Sequence, residues 1–227
     1  MTEDVVAGQW ARPADIDLTA GFVPFSFSQG PRPLCLAFAA SSAHKLLRAQ
    51  GDDFSPEALW RTCWENGLTS EGGTSIGAMG FALSSQGQPV LSVWPYNDAL
   101  GHQSEAVPHT AQNAHWHTAV LTPVPLSPGG QEHIEAALAS GGPVVIAIEV
   151  SDEFSFVTGS DVVEVPDVIP YFQGYHAVLV VGATWKEGTG RIYRILNSWG
   201  TDWADGGYTW LPVGYVDKYA AGAAAIG

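Results

Sequence analysis

Leu34-Cys35-Leu36-Ala37-Phe38-Ala39-Ala40-Ser41-Ser42-Ala43-His44-Lys45-Leu46-Leu47-Arg48-Ala49-Gln50-Gly51 is the stretch that decides the fold. It is apolar on almost every face through Ala40, turns polar at His44, Lys45 and Arg48, and meets Gly51, a good helix-ending residue. The pattern predicts a largely buried helix over 34–50 with a cysteine in its first turn. Three more helices follow outward from it. Ser55-Pro56-Glu57 offers an N-cap, a proline at the first helical position and an early acid, predicting a helix from Pro56 to about Glu65. Another is expected from about Ser75 to Ser85, running into Gly87, and a fourth between Gln131 and Ser140.

Beyond these the pattern changes. Pro143 to Val150, Ala177 to Thr184, Ile192 to Leu196 and Tyr208 to Leu211 are short runs rich in Val, Ile and aromatics, suiting an antiparallel sheet or small barrel. Helices first and strands second predict an α+β protein. The proline-rich segment from Gly101 to Gly130 reads as the crossing between the halves.

Composition narrows the function. With 227 residues, 46% hydrophobic and 14% charged, the chain can bury a real core. Nine Lys+Arg against 23 Asp+Glu give a formal charge of −14, which repels phosphate backbones, so no nucleic-acid partner is expected. The longest apolar runs fall far short of the ~20 residues that cross a bilayer, so no membrane association is expected. Two cysteines are too few for a disulfide framework, and no charged-then-apolar leader follows Met1, so a cytoplasmic protein is expected.

Three residues stand out by context: Cys35 at the start of a buried helix, His176 before an apolar strand, and Asn197 at the end of the next. A helix N-terminus and a neighbouring imidazolium can depress a thiol pKa to ~3.5–7.5, making the thiolate available at neutral pH. A histidine that takes the thiol's proton can later give it to a leaving amine, and an amide oxygen can fix which ring nitrogen faces the sulfur. The other candidates read as structural. Cys63, between Trp60 and Trp64, is a packing residue. Gly73-Thr74-Ser75-Ile76-Gly77 matches the serine-hydrolase elbow but lacks the buried strand that must precede it. His102, His109, His115 and His117 lack the neighbours that would complete a metal site, so no metal is expected.

The chain resembles the papain-like cysteine peptidases over nearly its whole length. The resemblance lies in Gln29-Gly30, Cys35-Leu36-Ala37-Phe38-Ala39, Tyr175-His176-Ala177-Val178, Leu196-Asn197-Ser198-Trp199-Gly200-Thr201-Asp202-Trp203 and Gly206-Gly207-Tyr208, in that order. Asp17, Gly21 and Val23-Pro24 are similar to the family's lead-in, and Gly72-Gly73 to its cleft glycines. The resemblance implies one domain over 1–227 in a two-lobe fold. A helical lobe (about 25–118) would carry the cysteine, an antiparallel barrel-like lobe (about 1–24 and 119–227) the histidine and asparagine, with the cleft between them. It implies a cysteine endopeptidase working through an acyl-thioenzyme, without cofactor, on a peptide or protein substrate.

By the same resemblance Cys35 is the nucleophile, His176 the base and then acid, Asn197 its orienter, and Gln29 an oxyanion donor beside the Cys35 N–H. Trp199 shields the Asn–His hydrogen bond. Gly72 and Gly73 line the substrate, and the small Ala147, Gly174 and Ala177 leave room for a bulky apolar side chain. The departures are Arg32-Pro33-Leu34 where the family has Cys-Gly-Ser/Ala, so the nearby disulfide cannot form, and Leu36 in place of an aromatic. Only 34 residues precede Cys35, too few for the family's inhibitory propeptide, so the expectation is either a trimmed chain or restraint by other means, such as a regulatory partner or a narrow substrate range. The alternatives are a silent or partner-activated peptide-binding module of the same fold, and an amidase or transpeptidase using the same chemistry.

Overall fold

The computed structural model describes residues 13–20, 28–49, 51–172 and 174–227. In chain order the elements of the first half are β1 (Ile16–Asp17), α1 (Cys35–Arg48), α2 (Pro56–Glu65), β2 (Thr69–Ser70), β3 (Gly73–Thr74), α3 (Ile76–Ser85) and α4 (His109–Gln112). The second half holds β4 (Leu121–Pro123), α5 (Gly130–Ala139), β5 (Val144–Glu149), α6 (Asp152–Ser155), β6 (Tyr175–Lys186), β7 (Gly190–Leu196), β8 (Tyr208–Pro212), α7 (Val213–Tyr219) and β9 (Ala220–Ile226). Gly21 and Val23-Pro24 of the lead-in, and Gln50 at the end of the first helical run, lie outside the described residues.

The principal helices and strands fall where the sequence places them, with local differences. Helix α1 stops one turn residue earlier than Gly51 implies, at Ala49, which takes the left-handed conformation (φ 48°) and donates its N–H to the Leu46 carbonyl. Lys45 and Arg48 in the last turn offset the negative end of the helix. Ser55 adopts an extended N-cap backbone before α2, yet its hydroxyl makes no cap bond, and its N–H donates to the Pro89 carbonyl at 3.0 Å beside the Phe54–Val90 bridge. Ser75 does cap α3, accepting the Ala78 N–H at 3.1 Å. Past α3, Gly87 has φ +73°, and a Cβ there would stand 2.0 Å from the His117 carbonyl oxygen, so only glycine fits this crossing.

The sheet is antiparallel and open, in the order β4-β9-β5-β6-β7-β8, with β1 added alongside β6; it is not a closed barrel. Strand side chains alternate, and here both faces are covered, which is why these runs read as continuously apolar. Val145, Leu179, Val181 and Leu196 meet Phe38, Leu59 and Leu83 from the helical side. Val144, Ile146, Val178 and Val180 meet Ile134 and Leu138 of α5 and Tyr215 of α7. Helix α1 therefore lies flat on the sheet that carries His176, and its N-terminal end reaches the strand end where His176 sits. Among the described residues, no helix is long and apolar enough to cross a membrane.

The far half of α1 carries a polar knot under that core. His44 is fully buried and stacks on Phe54 with centroids 4.3 Å apart. Arg48 Nε–H donates to His44 Nε2 at 3.0 Å, and the Gln88 side-chain amide lies 3.0 Å from Nδ1. His117 packs edge-on at 6.5 Å from the His44 ring. Burial, with Arg48 and His117 adding like charge, pushes the His44 pKa from 6.5 down to about 4. Burial also lowers His176 to about 4. Between these values the unfolded chain binds more protons than the folded one at the two histidines, so their contribution to stability falls as pH drops from about 6.5 toward 4 and is constant below. Thermal melts are expected to show a constant midpoint above pH 7 and a steady decline from pH 6.5 to 4, with a shallower decline in His44→Gln. An equally steep decline in that variant would assign the acid sensitivity elsewhere.

Candidate active site

The site assembles at the N-terminal end of α1. Leu34 precedes the helix in a non-helical conformation, and Cys35 opens it, half-buried at a cleft. Burial pushes the Cys35 thiol up, although backbone N–H groups of Ala177, Leu36 and Cys35 pull it the other way. The depressed thiol expected from the helix terminus alone is thus opposed by desolvation. His176 lies on β6 opposite Ile148 of β5 and is buried to 7% exposure. Burial holds the ring pKa at about 4, so the ring is neutral at pH 7.

Hydrogen bonding settles which ring nitrogen is free to accept. His176 Nε2 lies 2.7 Å from Asn197 Oδ1, and that oxygen also accepts the Ser198 N–H at 2.8 Å. A carbonyl oxygen can only accept, so Nε2 carries the proton and Nδ1 is the acceptor. Asn197 stands just past β7, its own N–H held by the Gly207 carbonyl at 2.9 Å. Trp199 lies over the histidine with ring centroids 4.7 Å apart and is itself braced by Phe154 and Trp203 at 5.5 and 5.6 Å. The indole thus packs against the ring that makes the Asn197–His176 bond.

Gln29 is locked on both ends of its amide. Ser198 Oγ donates to its Oε1 at 2.6 Å, and its Nε2 donates to the Arg32 carbonyl at 2.7 Å. Its backbone N–H donates to the Ser198 carbonyl at 2.8 Å, next to an antiparallel bridge between Ser28 and Trp199. The amide nitrogen has two protons, and Arg32 takes one.

Cys35, Gly72, Gly73, Ala147, His176 and Ala177 all line one cleft of about 450 Å³. Asn197 and Trp199 stand behind His176, and Gln29 joins them through Ser198. Gly174, at φ +105°, does not line the cleft and has open space around it. Gly73 has φ +122° and its Cα faces the Pro33 carbonyl, where a Cβ would come within 3.4 Å. Sequence reasoning missed the remaining walls: Thr74, Ser75, Ile76 and Gly77 at the start of α3, Tyr175, and Ala221 with Gly222 on β9. Small alanine-rich residues carry no strand signal, so nothing in Ala220–Ile226 announces a central strand. Ser75, the serine of the elbow-like string, spends its hydroxyl on capping α3. Cys63 is fully buried, its thiol donating to the Ala78 carbonyl, and burial raises it to about 11.

The family described as "Papain family cysteine protease" matches residues 25–223. Cathepsin J of Mus musculus is 30% identical over 200 residues, covering 83% of this chain and 56% of that protein. Falcipain-3 of Plasmodium falciparum is 38% identical over 92 residues, covering 34% of this chain and 17% of its own. The chain thus spans about half the length of the first of these, and of Cathepsin J from Rattus norvegicus, which it matches at 32%. Among solved structures, xylellain, a cysteine protease from Xylella fastidiosa, superposes with a TM-score of 0.76 at 24% identity, over 95% of this chain and 86% of that one. Digestive procathepsin L 3 of Tenebrio molitor superposes with a TM-score of 0.72 at 20% identity, over 97% and 72%.

The cleft chemistry has a direct readout. With His176 present, a proton can leave Cys35 without leaving the pair; without it, burial acts on the thiol alone. Iodoacetamide alkylation of Cys35 at pH 7 is expected to slow at least ~10-fold in His176→Ala. Equal rates in the two proteins would mean the imidazole does not serve the sulfur.

Proposed function

Because this chain belongs to the papain family of cysteine proteases, we propose that it hydrolyses peptide bonds through an acyl-thioenzyme. The observation that carries the reading is that Cys35 and His176 line one cleft, with the His176 tautomer fixed by Asn197 so that Nδ1 is the acceptor. In this mechanism Cys35 Sγ attacks the scissile carbonyl and its proton passes to His176 Nδ1. The carbonyl oxygen gains the negative charge and takes hydrogen bonds from the Cys35 N–H and the second Gln29 Nε2 proton. His176 then returns its proton to the departing amine, the C–N bond breaks, and a thioester remains. Water, deprotonated by the same ring, attacks the thioester carbon, the C–S bond breaks to release the acid, and the ring proton returns to Cys35 Sγ. Losing one oxyanion donor is worth ~10²–10³ in kcat.

The extended substrate would pair with the Gly73 backbone as an added strand, which the absence of a side chain permits. Beside it, Ile76, Ala147, Ala177, Ala221 and Gly222 form an apolar wall without a charged group, which suits a large aliphatic or aromatic side chain on the acyl side of the cleaved bond. The proposed working unit is one domain, with a helical lobe near 25–118 and a sheet lobe near 1–24 and 119–227, of which residues 1–12 and 21–27 lie outside the described residues. Both cysteines are free thiols, a state that suits a reducing compartment such as the cytoplasm.

A library of unstructured peptides tests the reading. Cleavage is expected at sites with a bulky apolar residue on the acyl side, to vanish in Cys35→Ala, and to fall ~10²–10³-fold in kcat in Gln29→Ala. Tight binding with no products would make the chain a peptide-binding module, and products carrying an added amine would make it a transpeptidase.

A further inference from the structure

Arg32 is fully buried, as is the carboxylate it faces, Glu57 on α2. A guanidinium has five N–H donors, and each has an acceptor here. Nε donates to the Gly101 carbonyl at 2.7 Å, one terminal nitrogen to the Asn97 carbonyl at 2.7 Å and to Glu57 Oε1, and the other to the Gln103 carbonyl at 3.0 Å and Glu57 Oε2 at 3.4 Å. Glu57 Oε1 also accepts the Asn97 N–H at 3.1 Å. The Tyr96 ring stands 5.1 Å from the guanidinium carbon.

This cluster closes on the oxyanion donor. Tyr96 Oη donates to the Gln29 carbonyl at 2.5 Å, and Gln29 Nε2 donates to the carbonyl of Arg32 itself. The side chain of Arg32 thus fixes the loop whose backbone oxygen aims the Gln29 amide, three residues before Cys35. A buried ion pair is seldom the most stable filling for such a space, since apolar residues of similar volume often do as well or better. What it supplies is direction: five donors and a planar fork admit one orientation.

We propose that the buried Arg32–Glu57 pair is a positioning device for the oxyanion hole, holding the Arg32 carbonyl, and through it the Gln29 amide, in register with the Cys35 N–H. The proposal rests on the hydrolytic reading above. It makes Arg32 and Glu57 positioning residues that touch no substrate.

The test is Arg32→Met combined with Glu57→Leu, which removes both charges so that neither is left buried alone. Iodoacetamide reaction at Cys35 needs no oxyanion, so its rate is expected to stay within ~2-fold, whereas peptide hydrolysis loses ~10² in kcat with KM changed less than ~3-fold. In a Gln29→Ala background the same pair of substitutions is expected to cost less than ~3-fold, because the group being aimed is already gone. A merely structural role would cost the same in both backgrounds, and that result overturns the proposal, as does an unchanged kcat. Should the double variant not fold, Arg32→Lys, which keeps the ion pair and drops two donors, is read the same way.

A peptide aldehyde separates the two readings. Cys35 sulfur bonds to the aldehyde carbon, and the thiol proton ends on the oxygen, giving a hemithioacetal without turnover. If the native chain cleaves no peptide, hydrolysis is wrong; a ~10-fold or greater loss of aldehyde affinity in the Arg32 variants then still supports the positioning role, and an unchanged affinity ends it.

Discussion

The contact on which the cleft depends is the seam between Gln29 and Ser198. It consists of a backbone bond from the Gln29 N–H to the Ser198 carbonyl and a side-chain bond from Ser198 Oγ back to the Gln29 amide, flanked by the Ser28–Trp199 bridge. One side of this seam leads within six residues to Cys35, and the other is the loop that presents Asn197 and Trp199 to His176. Neither half of the chain could set the distance between sulfur and imidazole alone. The packing of α1 on the sheet brings the two halves together, and these hydrogen bonds add the register of the Gln29 segment against the loop after Asn197.

Burial around this seam has two effects that pull in opposite directions. Enclosing His176 under Trp199 strengthens its bond to Asn197 and fixes the tautomer. The same enclosure penalises charge on the thiol and on the ring. Moving a proton between them changes no net charge in the pocket, so the penalty is largely shared by the pair and not paid twice.

Much of this was legible in the sequence because it rests on local rules. The helix at Pro56–Glu65 followed from a proline and an acid at its start, and the four principal strands from β-branched runs bounded by turn residues. Cys35, His176 and Asn197 were legible as a set through their order and contexts. What stayed hidden depends on contacts between distant segments. Nothing in Arg32 or Glu57, 25 residues apart, announces that they meet, and Arg32 read only as a departure from a familiar string. The role of Ser198, the open edge of the sheet and the placement of β9 were equally invisible, since each is decided by what packs opposite.

The order of strands in the sheet also sets a schedule. Strand β9 lies between β4 and β5, and Ala221 and Gly222 on it complete the wall of the cleft, although they are synthesised after every other strand. On the ribosome, a nascent polypeptide that already contains Cys35, His176 and Asn197 still lacks the filling of its own sheet and one side of its groove. The groove therefore has no complete wall until the last described strand has taken its place in the sheet.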